Sequence, residues 1–173
     1  MQSIILGGGC FWCTESVFKS VKGVESVVSG YMGGEATTAN YRAVCGGNSG
    51  HIEVVKVAFD ESIVPLEVLL DIFFATHDPT TKDRQGNDVG SQYRSVVFYT
   101  DENQKPRIDR TVNKLRDMGL NIVTEVHPAV EFYDAEEEHQ DFFNRNPSQA
   151  YCNFVIPPKL TKLRQEFNKY MVA

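Results

Sequence analysis

Residues 7–15, GGGCFWCTE, set a cysteine, Cys10, between a glycine run and two aromatic side chains. A short apolar run, Ser3-Ile4-Ile5-Leu6, leads into the glycines, and Phe11, Thr14, Glu15 and Phe18 then recur at helical spacing. Cys10 is therefore expected where a strand gives way to a helix. Unpaired backbone N–H groups and the positive end of the helix dipole favour thiolate at such a junction. Gly7-Gly8-Gly9 permits a tight turn and close approach by another molecule, while Phe11 and Trp12 place apolar surface beside the sulfur. The combination predicts a nucleophile facing an apolar pocket, although a buried structural cysteine in a tight turn fits the same residues.

Groups able to act with that thiol are spread along the chain. In HIEVVKVAF, alternation places Glu53 on the face of Val55, Val57 and Phe59. A carboxylate on an apolar face is costly unless protonated, so burial there predicts a neutral acid near pH 7. Ile52, Val54 and Ala58 make the opposite face partly apolar as well, which leaves a carboxylate at the rim as the alternative. Tyr41, opening YRAVCGGNSGHIEVV, and Tyr93, in GSQYRS, each supply a phenol donor for an oxygen atom. Asp88 in GNDVGSQYR could orient a water or a tyrosine, or simply cap a turn. His51 and His139 are candidate bases for a Cys–His pair, with nothing in the sequence placing either against Cys10. His77 before Asp78-Pro79 reads as a helix end.

Cys10-x-x-Cys13 has metal-ligand spacing, but Cys45 and Cys152 stand alone, so no second pair completes a zinc site and no metal is expected. The glycines lack the spacing of a phosphate loop or a dinucleotide fingerprint. With 173 residues the chain is expected to form one domain, 1–173, able to bury a full core. Its net charge of −6 argues against nucleic acid or anionic membrane as partner. Neither a spanning segment nor a signal peptide is evident, and four cysteines are too few for a disulfide scaffold, so a reducing cytoplasm is expected.

The elements that must position these residues follow from pattern. Strands are predicted at 3–6, 24–31, 51–59, 96–99 and 121–130, and helices from Phe11, over 65–74, over about 103–118, in AEEEHQDFF from Ala135, and over 160–170. Residues 32–50 and 78–95 read as long polar loops. The order strand, helix, strand, strand, helix, strand predicts an α+β fold. Its expected form is a two-layer ferredoxin-like, split βαβ core with a mainly antiparallel mixed sheet, long loops and a C-terminal extension.

Taken in order, GCFWCTE after a glycine run, YRAVCGGNSGHIEVV, TKDRQGNDVGSQYRS and AEEEHQDFF resemble the A-type peptide methionine sulfoxide reductases over nearly the whole chain. The resemblance implies reduction of methionine-S-sulfoxide, free or in proteins, with no metal or organic cofactor and with thioredoxin as reductant. It matches Cys10 to the nucleophile, Glu53 to the acid, and Tyr41, Tyr93 and Asp88 to groups around the sulfoxide oxygen. Phe11 and Trp12 match the walls of the methyl pocket, and His139 joins Asp88 among the substrate-binding positions. The chain is expected to act as a monomer.

A second thiol must condense with the Cys10 sulfenic acid. The family's C-terminal recycling habit points to Cys152, which follows the polar stretch Asn146-Pro147-Ser148-Gln149, predicted to be mobile. Cys13, where many relatives have glycine, is the alternative, and Cys45 remains a third. Two other classes compete: a thioredoxin-like oxidoreductase using Cys-x-x-Cys, and a binding module with an incidental cysteine.

Overall fold

The structure, a computed structural model, describes residues 1–172. Its centre is β1 (Gln2–Gly7), whose Ile4, Ile5 and Leu6 are buried on both faces. β1 leads through the glycines into α1 (Phe11–Lys19), and the chain returns along β2 (Val24–Met32). β3 (Ile52–Phe59) inserts between β1 and β2, antiparallel to both, so β1 and β2 run parallel with one strand between them. After α3 (Leu66–Thr76), β6 (Val96–Tyr99) pairs antiparallel with the free side of β1. Following α4 (Gln104–Asp117), β7 (Glu125–Pro128) adds parallel to β6, and β8 (Phe132–Asp134) closes the opposite edge on β2. The six-stranded order is β7-β6-β1-β3-β2-β8, a mixed α+β arrangement.

Strand alternation divides the core. Ile4, Leu6, Val55, Val57, Phe59, Val97 and Tyr99 join Phe18 of α1 and Leu66, Leu69, Leu70 and Phe73 of α3 in the main cluster. Ile5, Ile52, Val54, Val96 and Phe98 form a smaller cluster on the other face, covered by Ala129 and Phe132. Pro65 immediately precedes α3, where its missing N–H has no intrahelical partner to lose.

Several segments differ from the pattern reading: the strand expected at 121–130 is confined to Glu125–Pro128, and the strand Phe132–Asp134 was not expected. The loop at 32–50 contains α2 (Tyr41–Cys45), with the Asn40 side chain accepting the Ala43 N–H as its cap. The loop at 78–95 carries a small hairpin, β4 (Arg84–Gln85) with β5 (Asp88–Val89). The acidic run does not make one helix. A 3-10 turn, Glu137–His139, is separated from α5 (Phe142–Arg145) by Asp141, whose φ of +54 breaks helical geometry.

The C-terminal segment is also more regular than its prolines suggest. α6 (Ala150–Phe167) runs through Pro157 and Pro158, whose missing N–H groups would have bonded Asn153 and Phe154. Both of those residues are exposed, so water can take their carbonyls. Among the described residues no helix is long and apolar enough to cross a membrane.

Candidate active site

Cys10 caps the start of α1 in extended geometry, directly after Gly9 with φ +96. A Cβ on Gly9 would lie 2.6 Å from Gln85 Cγ, so both the turn and its contact with the hairpin require glycine. The next residue fixes the acid. Phe11 N–H donates to Glu53 Oε1 at 3.1 Å, tying the first turn of α1 to the middle of the sheet. Alternation in β3 puts Glu53 on the helix-covered face, where it is 1% exposed. Burial raises its carboxyl to about 8; the Phe11 amide partly opposes that rise and the Asp88 charge adds to it. Glu53 is accordingly a neutral acid at pH 7.

The two phenols share its surroundings. Burial is the first cause that holds the Tyr41 and Tyr93 hydroxyls well above the ordinary tyrosine range, and the nearby Glu53 charge adds to both. Tyr41 begins α2, with Cys45 one turn on. Its backbone N–H donates to Glu136 Oε2 at 2.9 Å, and Glu136 Oε1 accepts the Tyr31 hydroxyl at 2.8 Å. Tyr31 stands opposite Glu53 in the β2–β3 register, so one acid outside the sheet pins the loop that carries Tyr41.

An aromatic group surrounds Trp12. Its ring stacks on Phe142 with centroids 3.8 Å apart and planes 9° apart, and lies 6.1 Å from Tyr41. Trp12 Nε1–H donates to His139 Nδ1 at 3.2 Å, and His139 packs 4.2 Å from Tyr41 and 5.8 Å from Phe11. His139, 6% exposed, therefore belongs to the pocket wall. His51, the other candidate base, is committed to a loop: Nδ1 accepts the Gly34 N–H at 3.1 Å and Nε2 lies 2.7 Å from the Glu35 carbonyl.

Beside the sulfur a cavity of about 270 Å³ is lined by Cys10, Cys13, Asp88, Tyr151, Phe154 and Lys159. Asp88 accepts a hydrogen bond from the Tyr151 hydroxyl, so it does orient a tyrosine, one the sequence reading did not single out. A larger open groove of about 920 Å³ between α3 and the C-terminal helix reaches Lys159 but has no nucleophilic thiol in its lining.

All four cysteines are free thiols. Burial, and then the hydrogen bond in which its S–H donates to Cys13, push the Cys10 thiol well above its ordinary value, outweighing the Trp12 amide at the helix start. Cys13 moves down, first because it accepts a hydrogen bond from Cys10 and then, against burial, because the Lys159 ammonium is near. Cys152, inside α6, follows the polar stretch at 146–149. It is 0% exposed in the first turn of α6, its N–H held by Gln149 Oε1 at 2.7 Å, and it packs in one cluster with Cys13. The structure thus brings Cys13 against Cys10, and Cys152 against Cys13. Cys45 is exposed beside Tyr41.

Among the described residues the one group of three side chains spaced to hold a metal ion is Glu136, Glu138 and His139. Both Glu136 oxygens and His139 Nδ1 already serve the contacts above. Tyr151, Glu136 and Phe142 are the residues pattern alone did not assign; Tyr151 adjoins Cys152, and the other two flank His139 in the acidic run.

A thiol at a helix start, beside a protonated acid and screened phenols, defines a thiol-dependent oxidoreductase. A family model described as peptide methionine sulfoxide reductase matches residues 2–171, and the chain belongs to that family. Peptide methionine sulfoxide reductase MsrA of Psychrobacter cryohalolentis is 83% identical over 173 residues, all of both chains. Mxr1 from Saccharomyces cerevisiae in its reduced form is similar in structure, with TM-score 0.83 and 34% identity over 87% of this chain and 88% of that one. A structure of Mxr1 in complex with Trx2 matches with TM-score 0.58 and 25% identity, covering 82% of this chain and 84% of that one.

Proposed function

We propose that this chain reduces methionine-S-sulfoxide, free or in oxidised proteins, through a Cys10 sulfenic acid whose oxygen-transfer step is driven by neutral Glu53. The observation that carries the reading is the buried Glu53 carboxyl, raised to about 8 and anchored on the residue after Cys10. A sulfoxide sulfur is a poor electrophile until its oxygen takes a proton, and a buried neutral acid supplies one where charge develops. Tyr41 and Tyr93, protonated throughout the neutral range, donate to the same oxygen. Phe11, Trp12, Phe142 and His139 receive the methyl side, while Asp88 orients Tyr151 at the mouth.

Cys10 gives up its proton to water as the sulfoxide binds and reacts as the thiolate. Cys10 sulfur then attacks the sulfoxide sulfur as Glu53 protonates the oxygen. The S–S bond of that adduct then breaks as its hydroxyl moves to the Cys10 sulfur, and methionine departs as the thioether. Cys10 is left as the sulfenic acid, and Glu53 regains its proton from water. Cys13 attacks that sulfur, expelling water and closing a Cys10–Cys13 disulfide. Cys152, packed beside Cys13, then attacks the Cys13 sulfur and frees Cys10. An external dithiol reduces the Cys13–Cys152 bond and leaves as a disulfide, so its two electrons balance the oxygen removed. Thioredoxin is the fitting dithiol, since a relative is known in complex with one. Cys152 is then the cysteine that serves the reductant, and Cys13 the one that first resolves Cys10.

The same reading takes residues 1–173 as one domain with a split βαβ, ferredoxin-like core, supported by the order β6-β1-β3-β2. It also takes the chain as a cytoplasmic monomer that needs neither metal nor organic cofactor. The test is a Cys13→Ser/Cys152→Ser double variant given one equivalent of sulfoxide. The expected products are one methionine per chain and a Cys10 sulfenic acid captured by a 1,3-dione; no methionine, or capture at Cys45, would overturn the reading.

A further inference from the structure

We propose that Glu15 is a positioning residue, a latch that holds the Asp141–Phe142 segment on α1 so that Phe142 stays stacked on Trp12. The proposal rests on reading Trp12 and Phe142 as walls of the sulfoxide pocket. Glu15 is a buried acid, 2% exposed, that no step above uses. Its Oε2 accepts the Asp141 N–H at 3.1 Å. Lys19 Nζ sits 3.9 Å from the same oxygen and 3.0 Å from Asp141 Oδ1.

The segment so held is under strain. Asp141 has φ +54, a left-handed conformation that costs a non-glycine residue free energy and persists only where surroundings fix it. Trp12 and Glu15 are three residues apart on α1, so they are neighbours on its surface. The chain therefore meets α1 at two adjacent points: Asp141 N–H on Glu15, and the Phe142 ring on Trp12 at 3.8 Å. His139, two residues before Asp141, accepts the Trp12 indole N–H at 3.2 Å. Releasing Asp141 from Glu15 frees the residue between the two ring contacts.

Trp12 is the only tryptophan, so the emission reports its own surroundings, the Phe142 stack together with His139 and Tyr41. Glu15→Ala should raise KM for a methionine sulfoxide peptide about 5–20-fold, the scale of one buried hydrogen bond, with kcat within about threefold. The Trp12 emission should change in parallel. Glu15→Gln, which keeps an acceptor oxygen, should restore KM and emission to within about twofold. Independently of any variant, the wild-type Asp141 amide should be protected from hydrogen exchange by at least about 100-fold.

A folded Glu15→Ala protein with wild-type KM and emission overturns the latch, as does a Gln variant as impaired as Ala, or a freely exchanging Asp141 amide. If Glu15→Ala does not fold, the amide decides. A Trp12→Leu protein with unchanged KM would instead remove the pocket-wall reading, leaving the latch to be judged by emission and exchange.

Discussion

Glu53→Gln removes one ionisation while keeping side-chain shape and an acceptor for the Phe11 amide. A carboxyl that titrates at 4.5 in the unfolded chain and at about 8 in the folded one holds its proton longer when folded. Between those values the native state binds more protons than the unfolded state, so wild-type stability falls as pH rises through the window and levels off above about 8. Proton-binding expressions with those two values give a cost of about 1 kcal/mol at pH 5 and about 3 kcal/mol at pH 7. Gln carries no such cost. The stability advantage of Glu53→Gln over wild type should therefore widen by about 2 kcal/mol from pH 5 to pH 7. Urea denaturation of both proteins at the two pH values, with equal m-values, measures it. A gap that stays constant to within about 0.5 kcal/mol would show that the Glu53 carboxyl is not buried in neutral form, and the mechanism would lose its acid.

The remaining expectations concern rates and the turn. Glu53→Gln should slow single-turnover reduction by about 10²–10⁴-fold, and the wild-type loss of activity as pH rises through about 8 should be absent from its profile. Cys10→Ser should abolish methionine formation even with excess dithiol, and turnover within tenfold of wild type would refute the nucleophile. Tyr41→Phe and Tyr93→Phe should each cost less than Glu53→Gln and more when combined, because both phenols serve one oxygen; additive single effects equal to the Glu loss would contradict this. Cys152→Ser should give one methionine per chain, accumulate Cys10–Cys13 and stall with thioredoxin, which peptide mapping after one turnover reads directly. Gly9→Ala should destabilise the fold by about 1–3 kcal/mol in a thermal melt, since it adds both a strained φ and a 2.6 Å contact with Gln85.

The core strands and the start of α1 were legible because one periodicity decides them. Val96–Tyr99 and the Cys10–Phe11 boundary follow directly from apolar runs bounded by turn residues. Glu53 was legible for the same reason, as a lone acid in register with Val55, Val57 and Phe59. What pattern could not give was tertiary. The acidic run reads as a helix by propensity, yet the buried Glu15 and the stack of Phe142 on Trp12 hold Asp141 out of it. Pro157 and Pro158 suggested a break, but exposure of Asn153 and Phe154 lets α6 pass through them. That continuity buries Cys152 against Cys13, and with it changes which thiol is nearest the nucleophile. For Cys10 the helix start and the apolar Phe11 and Trp12 pull the thiol in opposite directions, so the sequence leaves its state open; in the fold, burial and the Cys13 partner raise it.

The central claim is that Cys10 takes the oxygen of one sulfoxide epimer and passes the oxidation to its own cysteines. An anaerobic single turnover of the fully reduced wild-type protein with separated methionine sulfoxide epimers tests it, with methionine counted and disulfides mapped by mass spectrometry. The account predicts at least one methionine per chain from the S epimer, almost none from the R epimer, and disulfides confined to Cys10, Cys13 and Cys152. Equal consumption of both epimers, or methionine released with all three of these thiols still reduced, would contradict it.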